Sequence, residues 1–201
     1  MKNIFHRNIN PPVEFVDVDY PITNEVMGFR NNKIPRDMVN PEFHRWIESL
    51  GLYIDDTWGR FFPSTPYQQY GIHADSKMSF LPRTKINIIF DSYGTEMIWY
   101  RYEPRPGHRT IIHTEYQQVF SQLLPLNKNT IRIYDPEDCV EVFRTNTDQH
   151  CILDASKIHT LINSDNRGKM RRSFSLTLAR LSDKQLVTFE ETLERMKDFI
   201  V

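Results

Sequence analysis

A chain of 201 residues has room for one domain with a sizeable core, or at most two small ones. Hydrophobic residues make up 39% and charged residues 25%, ordinary for a soluble globular protein, and a net charge of −1 with a pI near 6.7 gives no global attraction to nucleic acid or anionic lipid. No window approaches eighteen apolar residues and Met1-Lys-Asn-Ile-Phe-His-Arg7 has no apolar signal core, so neither a membrane span nor a secretory signal is expected. Cys139 and Cys151 are too few for a disulfide framework and are expected as reduced thiols in a cytoplasmic setting.

Residues 1–40 are rich in Pro and Asn, and Val13-Glu-Phe-Val-Asp-Val18 reads as a strand. Asn40-Pro41 reads as an N-cap followed by a first-turn proline. Phe43, Trp46, Ile47 and Leu50 then recur at helical spacing, and Gly51 closes the helix. Tyr53 to Phe62 is a strand, and Pro63 to Pro66 a turn. From Tyr67 to Tyr102 the pattern is that of a strand meander, with Lys85-Ile-Asn-Ile-Ile-Phe90 and Met97-Ile-Trp-Tyr100 as its clear members and Asp91-Ser-Tyr-Gly94 as the turn between them. Pro104-Arg-Pro-Gly107 breaks the pattern. Ile131 to Tyr134, Val140 to Phe143, Cys151 to Ala155 and Arg171 to Leu178 are further strands, with Asp135 to Asp138 a loop.

Ser182-Asp-Lys-Gln185 has the form of a capping box. The stripe Leu186, Phe189, Leu193, Met196 and Ile200 after it predicts a helix lying outside the sheets. Many short strands with a few flanking helices predict a mainly β fold, a double-stranded β-helix (jelly roll, cupin-like) in a single domain over 1–201. Its core spans about 50–180 and its C-terminal helix about 183–200. Seven glycines are sparse for so many turns, which leaves the turns to twelve prolines and to Asn and Asp.

Three short elements carry the chemistry. His73 and Asp75, two positions apart, lie on one side of an extended segment and can point at one ion. Chance alone supplies roughly 0.5 such triplets in this composition, so the pair needs its context. His159 would complete two imidazoles and one carboxylate on one face of a metal, a donor set that suits non-haem Fe(II) with open positions opposite. His150 is its rival, since it too precedes the arginines. His159 is preferred because it ends the strand that begins near Cys151, while His150 is expected to cap that strand in solvent. His108 and His113 lie beside Pro106 and Gly107 and take no ligand role. If the last strand is extended, Arg171, Ser173, Ser175 and Thr177 share a polar face, while Arg172, Phe174, Leu176 and Leu178 share an apolar one. Arg171 could then grip a carboxylate through two parallel N–H···O bonds, with Ser173 beside it; the bland alternative is a solvated basic edge over 169–172.

Tyr67-Gln-Gln-Tyr70-Gly71 before His73, the strands after it, His159-Thr-Leu-Ile-Asn163 and Arg171-Arg-Ser-Phe-Ser175 stand in an order that resembles the 2-oxoglutarate/Fe(II) oxygenase superfamily. The closing motif is similar to that of its small aspartyl/asparaginyl hydroxylase-like, prolyl hydroxylase-like and phytanoyl-type members. The resemblance covers about residues 50–180 and does not specify a substrate. It implies Fe(II) as cofactor, 2-oxoglutarate as co-substrate, molecular oxygen as reactant and a small-molecule or peptidyl substrate hydroxylated at an unactivated C–H bond. By analogy with those members the preferred substrate is a peptidyl or free amino acid.

Asn87, mid-strand between isoleucines, needs a hydrogen-bond partner, either the co-substrate or a neighbouring backbone group. Tyr70 and Trp99 either line the pocket or are core aromatics. The basic and aromatic segment 101–113 reads as a lid or as a solvated loop. Two rival readings are a cupin-like metal enzyme without 2-oxoglutarate, which would not need Arg171, and a non-catalytic jelly-roll binding module.

Overall fold

A computed structural model describes residues 4–15, 30–33, 39–62, 71–75, 82–91, 94–107, 132–163 and 171–201. In chain order its elements are β1 (His6–Asn8), β2 (Arg30–Lys33), α1 (Pro41–Ser49), β3 (Leu52–Phe62), β4 (His73–Ala74), β5 (Thr84–Asp91) and β6 (Thr95–Tyr102). β7 (Arg132–Ile133), β8 (Cys139–Asn146), β9 (Cys151–Asp154), β10 (His159–Asn163), β11 (Arg171–Arg180) and α2 (Phe189–Arg195) complete the series.

Among the described residues the strands form two antiparallel sheets, ordered β1-β9-β5-β11-β3-β2 and β7-β4-β10-β6-β8. From β3 to β6 each strand crosses to the sheet opposite its predecessor, and β8 to β11 do the same on the way back. The first strand of this series, β3, ends paired with the last, β11. That winding is a double-stranded β-helix, and it corrects the meander expected over Tyr67–Tyr102: β4, β5 and β6 alternate between sheets instead of pairing in sequence. The reason lies in the patterning. Strands that each bury one face against an opposing sheet gain more apolar contact than a flat ribbon of consecutive hairpins.

One face of the larger sheet is apolar and carries the helices. Ile86 and Ile88 of β5, Ile152 of β9 and Phe174, Leu176 and Leu178 of β11 pack with Phe43, Trp46 and Ile47 of α1 and with Phe189 and Met196 of the C-terminal segment. The split of β11 into an apolar and a polar face thus follows its alternation as expected. Asn40 caps α1, accepting the Glu42 N–H at 2.9 Å, with Pro41 as the first helical residue and Gly51 at φ +69° just past the end.

Two local expectations fail. Val13 to Phe15 is not a strand; Phe15 is buried as a core aromatic against Phe43 and Phe174. Positions 16–18 lie outside the described residues. The Ser182–Gln185 capping box does not form either. Lys184 takes φ +59°, Asp183 accepts the Gln185 N–H, and Leu186 bridges to Ala179. α2 starts later, with Thr188 accepting the Glu191 N–H at 3.1 Å, and ends at Arg195 before a short 3-10 turn over Lys197–Phe199. No helix among the described residues is long and apolar enough to cross a membrane.

Candidate metal centre

The space between the sheets has an apolar part and a polar part. Met97 and Trp99 of β6, Cys151 and Leu153 of β9 and Leu161 of β10 fill the first. Register defines the second. Asn87 lies opposite Cys151 on one side and Ser175 on the other, and Lys85 opposite Leu153 and Thr177, so these polar residues share the inner face. All of them, with Ser173, are buried.

His73 sits in β4 and His159 opens β10, directly opposite it and also opposite Trp99. The two imidazole centroids are 4.5 Å apart. Asp75 follows β4 on the same side as His73, with Oδ1 3.3 Å from His73 Nε2. One ligand atom from each of His73, Asp75 and His159 lies within 4.8 Å of the others, and all three residues are buried. Position 159 therefore faces positions 73 and 75.

Both imidazoles are oriented in the same way. His73 Nδ1 lies 2.7 Å from Gly71 O, and His159 Nδ1 lies 2.7 Å from Lys157 O. A carbonyl only accepts, so each Nδ1 carries a proton and each Nε2 is the ring nitrogen left to face the centre. Burial, and next the neighbouring His73, push the His159 imidazole down to about 3, so that ring is neutral at physiological pH. The Asp75 backbone is pinned as well. Its N–H donates to Ala155 O at 3.0 Å, its carbonyl accepts from Arg83 Nη1 at 2.7 Å, and Arg83 O in turn accepts the Ala155 N–H at 2.9 Å. Its carboxylate Oδ2 is ion-paired with Lys85 Nζ.

The other candidate positions resolve as follows. His159 begins its own strand in the smaller sheet, and does not end the strand from Cys151: the turn after Asp154 carries the chain from one sheet to the other. His150 stays away from the cluster. β5 runs past the end of β9, and His150 Nδ1 accepts the Ile89 N–H there at 3.0 Å. It is thus a half-buried backbone cap and not a solvent one. Trp99 is a core aromatic, its indole N–H donating to Asp154 O at 3.3 Å. Asn87 Oδ1 and Thr177 Oγ1 are buried with no partner among the described residues. Arg171 opens β11 opposite Phe62; its side chain, with Tyr70, His108 and His113, lies outside the described residues. Arg105 anchors the start of the expected lid: its backbone N–H and Nε both donate to buried Asp138 Oδ1, at 3.1 and 2.9 Å.

Sequence reasoning missed Lys85 and Arg83. One signal for Lys85 was available: it stands two residues before Asn87 and shares its face.

A buried cluster of two histidines and one carboxylate inside a double-stranded β-helix defines a candidate non-haem metal centre. No protein-family model matches the chain, and no curated protein matches it. Among solved structures it is similar to AviO1 from Streptomyces viridochromogenes Tue57, at 11% identity and a TM-score of 0.38 over 74% of this chain and 61% of that one. It is also similar to a Pseudomonas putida prolyl-4-hydroxylase, at 9% identity and a TM-score of 0.38 over 76% and 72%. A third is HygX from Streptomyces hygroscopicus with nickel and 2-oxoglutarate bound, at 9% identity and a TM-score of 0.40 over 87% and 76%. Likeness at this level leaves reaction and substrate to be read from the site.

Proposed function

We propose that this chain is an Fe(II)- and 2-oxoglutarate-dependent oxygenase, with His73, Asp75 and His159 as its metal ligands. One observation carries the reading: two imidazoles with their tautomers fixed by backbone carbonyls converge with one carboxylate inside the β-helix. Neutral nitrogen and carboxylate oxygen suit Fe(II), and three protein donors leave positions for other oxygen ligands.

The inner face also supports a polar co-substrate. Thr177 Oγ1 is a buried hydroxyl with no partner among the described residues and can donate to a co-substrate oxygen; Asn87 Oδ1, also open there, only accepts, so toward a carboxylate or keto oxygen Asn87 would turn its amide N–H2. Ser173 and Ser175 add hydroxyls along β11. Arg171, at the start of that strand, supplies the guanidinium that pairs with the far carboxylate of 2-oxoglutarate, with Ser173 beside it and Asn87 nearer the metal. When bound, Fe(II) supplies the oxygen-activating chemistry that hydroxylates an unactivated C–H bond while 2-oxoglutarate is decarboxylated to succinate.

The chain's own residues do the rest. Gly71 O and Lys157 O hold the imidazoles in their ligating tautomer, the Asp75 backbone clamps fix the carboxylate, and the Trp99 cluster keeps water from one side. The substrate class we propose is a peptidyl or free amino acid.

The test is a 2-oxoglutarate titration of the anaerobic Fe(II) protein, followed by succinate analysis after oxygen is admitted. A weak visible charge-transfer band and Fe(II)-dependent succinate are expected. His73→Ala and Asp75→Ala should abolish succinate formation, and Arg171→Ala should mainly raise the 2-oxoglutarate requirement. Wild-type behaviour in all three variants would overturn the assignment.

A further inference from the structure

Lys85 is 4% exposed and stands in an apolar strand, between Thr84 and Ile86 and opposite Leu153 and Thr177. A buried lysine costs stability unless it is paired, and a leucine or isoleucine there would pack beside Leu153 without that cost. Its Nζ meets Asp75 Oδ2, while Asp75 Oδ1 faces His73 Nε2 at 3.3 Å. The two oxygens of the carboxylate are thus divided, one turned to the His73 imidazole and one to an ammonium. The Asp75 backbone is held in place at both of its polar groups, its N–H donating to Ala155 O and its carbonyl accepting from Arg83 Nη1, so the carboxylate is presented from a fixed point on the chain.

We propose that Lys85 is a positioning residue of the metal centre: it retains Asp75 Oδ2, limits Asp75 to a single ligating oxygen and lowers the site's affinity for a divalent cation. This rests on the metal-centre reading above and adds a role for a residue outside the ligand set. Two effects give the sign. The ammonium's positive charge opposes that of the incoming cation at short range in a buried site, where such terms are large. Lys85 also competes with the cation for the carboxylate, so the cation gains less by binding. A residue that merely shaped the site would have the opposite effect: its loss would weaken binding. Keeping one Asp75 oxygen off the metal leaves more of the metal's positions for co-substrate and oxygen, which gives the buried charge a use.

The experiment titrates the metal-free chain of 201 residues with Mn(II) in the absence of 2-oxoglutarate, reading free Mn(II) by electron paramagnetic resonance. Wild type, Lys85→Gln, Lys85→Arg and Asp75→Asn are compared. Lys85→Gln keeps a hydrogen-bond donor and removes the charge; it should bind Mn(II) about tenfold or more tightly than wild type. Its melting temperature should be lower than wild type without Mn(II) and rise further when Mn(II) is added. Lys85→Arg keeps the charge and should stay nearer wild type. Unchanged or weaker binding by Lys85→Gln overturns the proposal, as does a Lys85→Arg protein that binds as tightly as Lys85→Gln. If Lys85→Gln has no cooperative melting without metal, Mn(II) should restore it, and failure to do so also overturns the proposal. Asp75→Asn separates the two readings. Loss of Mn(II) binding in Asp75→Asn, with Lys85→Gln equal to wild type, sinks only the role of Lys85. Binding by Asp75→Asn as tight as wild type, or no binding by wild type, sinks the metal centre itself.

Discussion

Trp99 joins the apolar filling of the β-helix to the His73–Asp75–His159 cluster. Its ring stacks on Phe5 with centroids 5.8 Å apart, tilts against Phe143 at 5.6 Å and reaches the His159 ring at 6.4 Å. Its indole N–H donates to Asp154 O, and Asp154 Oδ1 accepts both the Ser156 N–H and its hydroxyl in the turn that leads to His159. One side chain therefore supports the ring of His159 and the turn that delivers it. Trp99→Ala should cost about 3–5 kcal/mol, the usual range for a fully buried large aromatic. Trp99→Phe, which loses the indole N–H and some volume, should cost about 1–2 kcal/mol. Urea unfolding of the two variants checks this. Equal, small losses would mean that the indole is not the support described.

At the scale of elements, the two helices are locked together through one glycine. Gly51 takes φ +69° after α1, and a Cβ there would stand 2.5 Å from Arg195 Nη1. That guanidinium donates to Leu50 O at 3.0 Å and pairs with Glu191, which also holds Arg180 of β11. Gly51→Ala should cost about 1–2 kcal/mol for the left-handed backbone alone, and more while Arg195 is present. A double-mutant cycle with Arg195→Ala checks this: the Gly51→Ala cost should fall when the arginine is gone. The α1 boundary was legible because Asn40, Pro41 and Gly51 act on their own backbone. The α2 boundary was not, because a residue-type match to a capping box does not reveal that Lys184 turns left-handed and that Leu186 bridges to Ala179, beyond the stretch of β11 that β5 pairs. Alternation gave the two faces of β11, and His-x-Asp gave one side of β4. The sheet exchange between β9 and β10 depends on the turn that Asp154 and Ser156 make, and an Asp-x-Ser triplet marks a turn without telling that the chain changes sheets there. The Lys85–Asp75 pair depends on closure of a ten-residue separation that neither strand announces.

At the scale of the whole molecule, stability should fall toward acid pH, because the fold buries imidazoles in their neutral form. Burial, and next the Arg7 guanidinium, push the His6 imidazole down to about 4. Burial also pushes His150 below the ordinary imidazole range, and His159 to about 3. In the unfolded chain each returns to about 6.5. Below that pH the unfolded state takes up protons that the folded state refuses, so ν_U exceeds ν_N and stability rises with pH across the window. For His6 the contribution is intact above about 6.5 and declines as pH falls toward about 4, where the folded ring also titrates. The limiting slope is roughly 1.4 kcal/mol per pH unit for each imidazole held neutral. Urea midpoints of the chelator-treated protein, taken from pH 7.5 down to pH 5, should therefore drop steadily. His6 contacts Trp99 edge-on at 6.2 Å and lies opposite Leu153 in the ladder, so His6→Phe preserves a ring at that place while removing one titrating group. Its midpoints should fall less steeply with acid than those of wild type. Parallel curves for the two proteins would show that His6 titrates alike in the folded and unfolded states, and that the acid sensitivity comes from elsewhere.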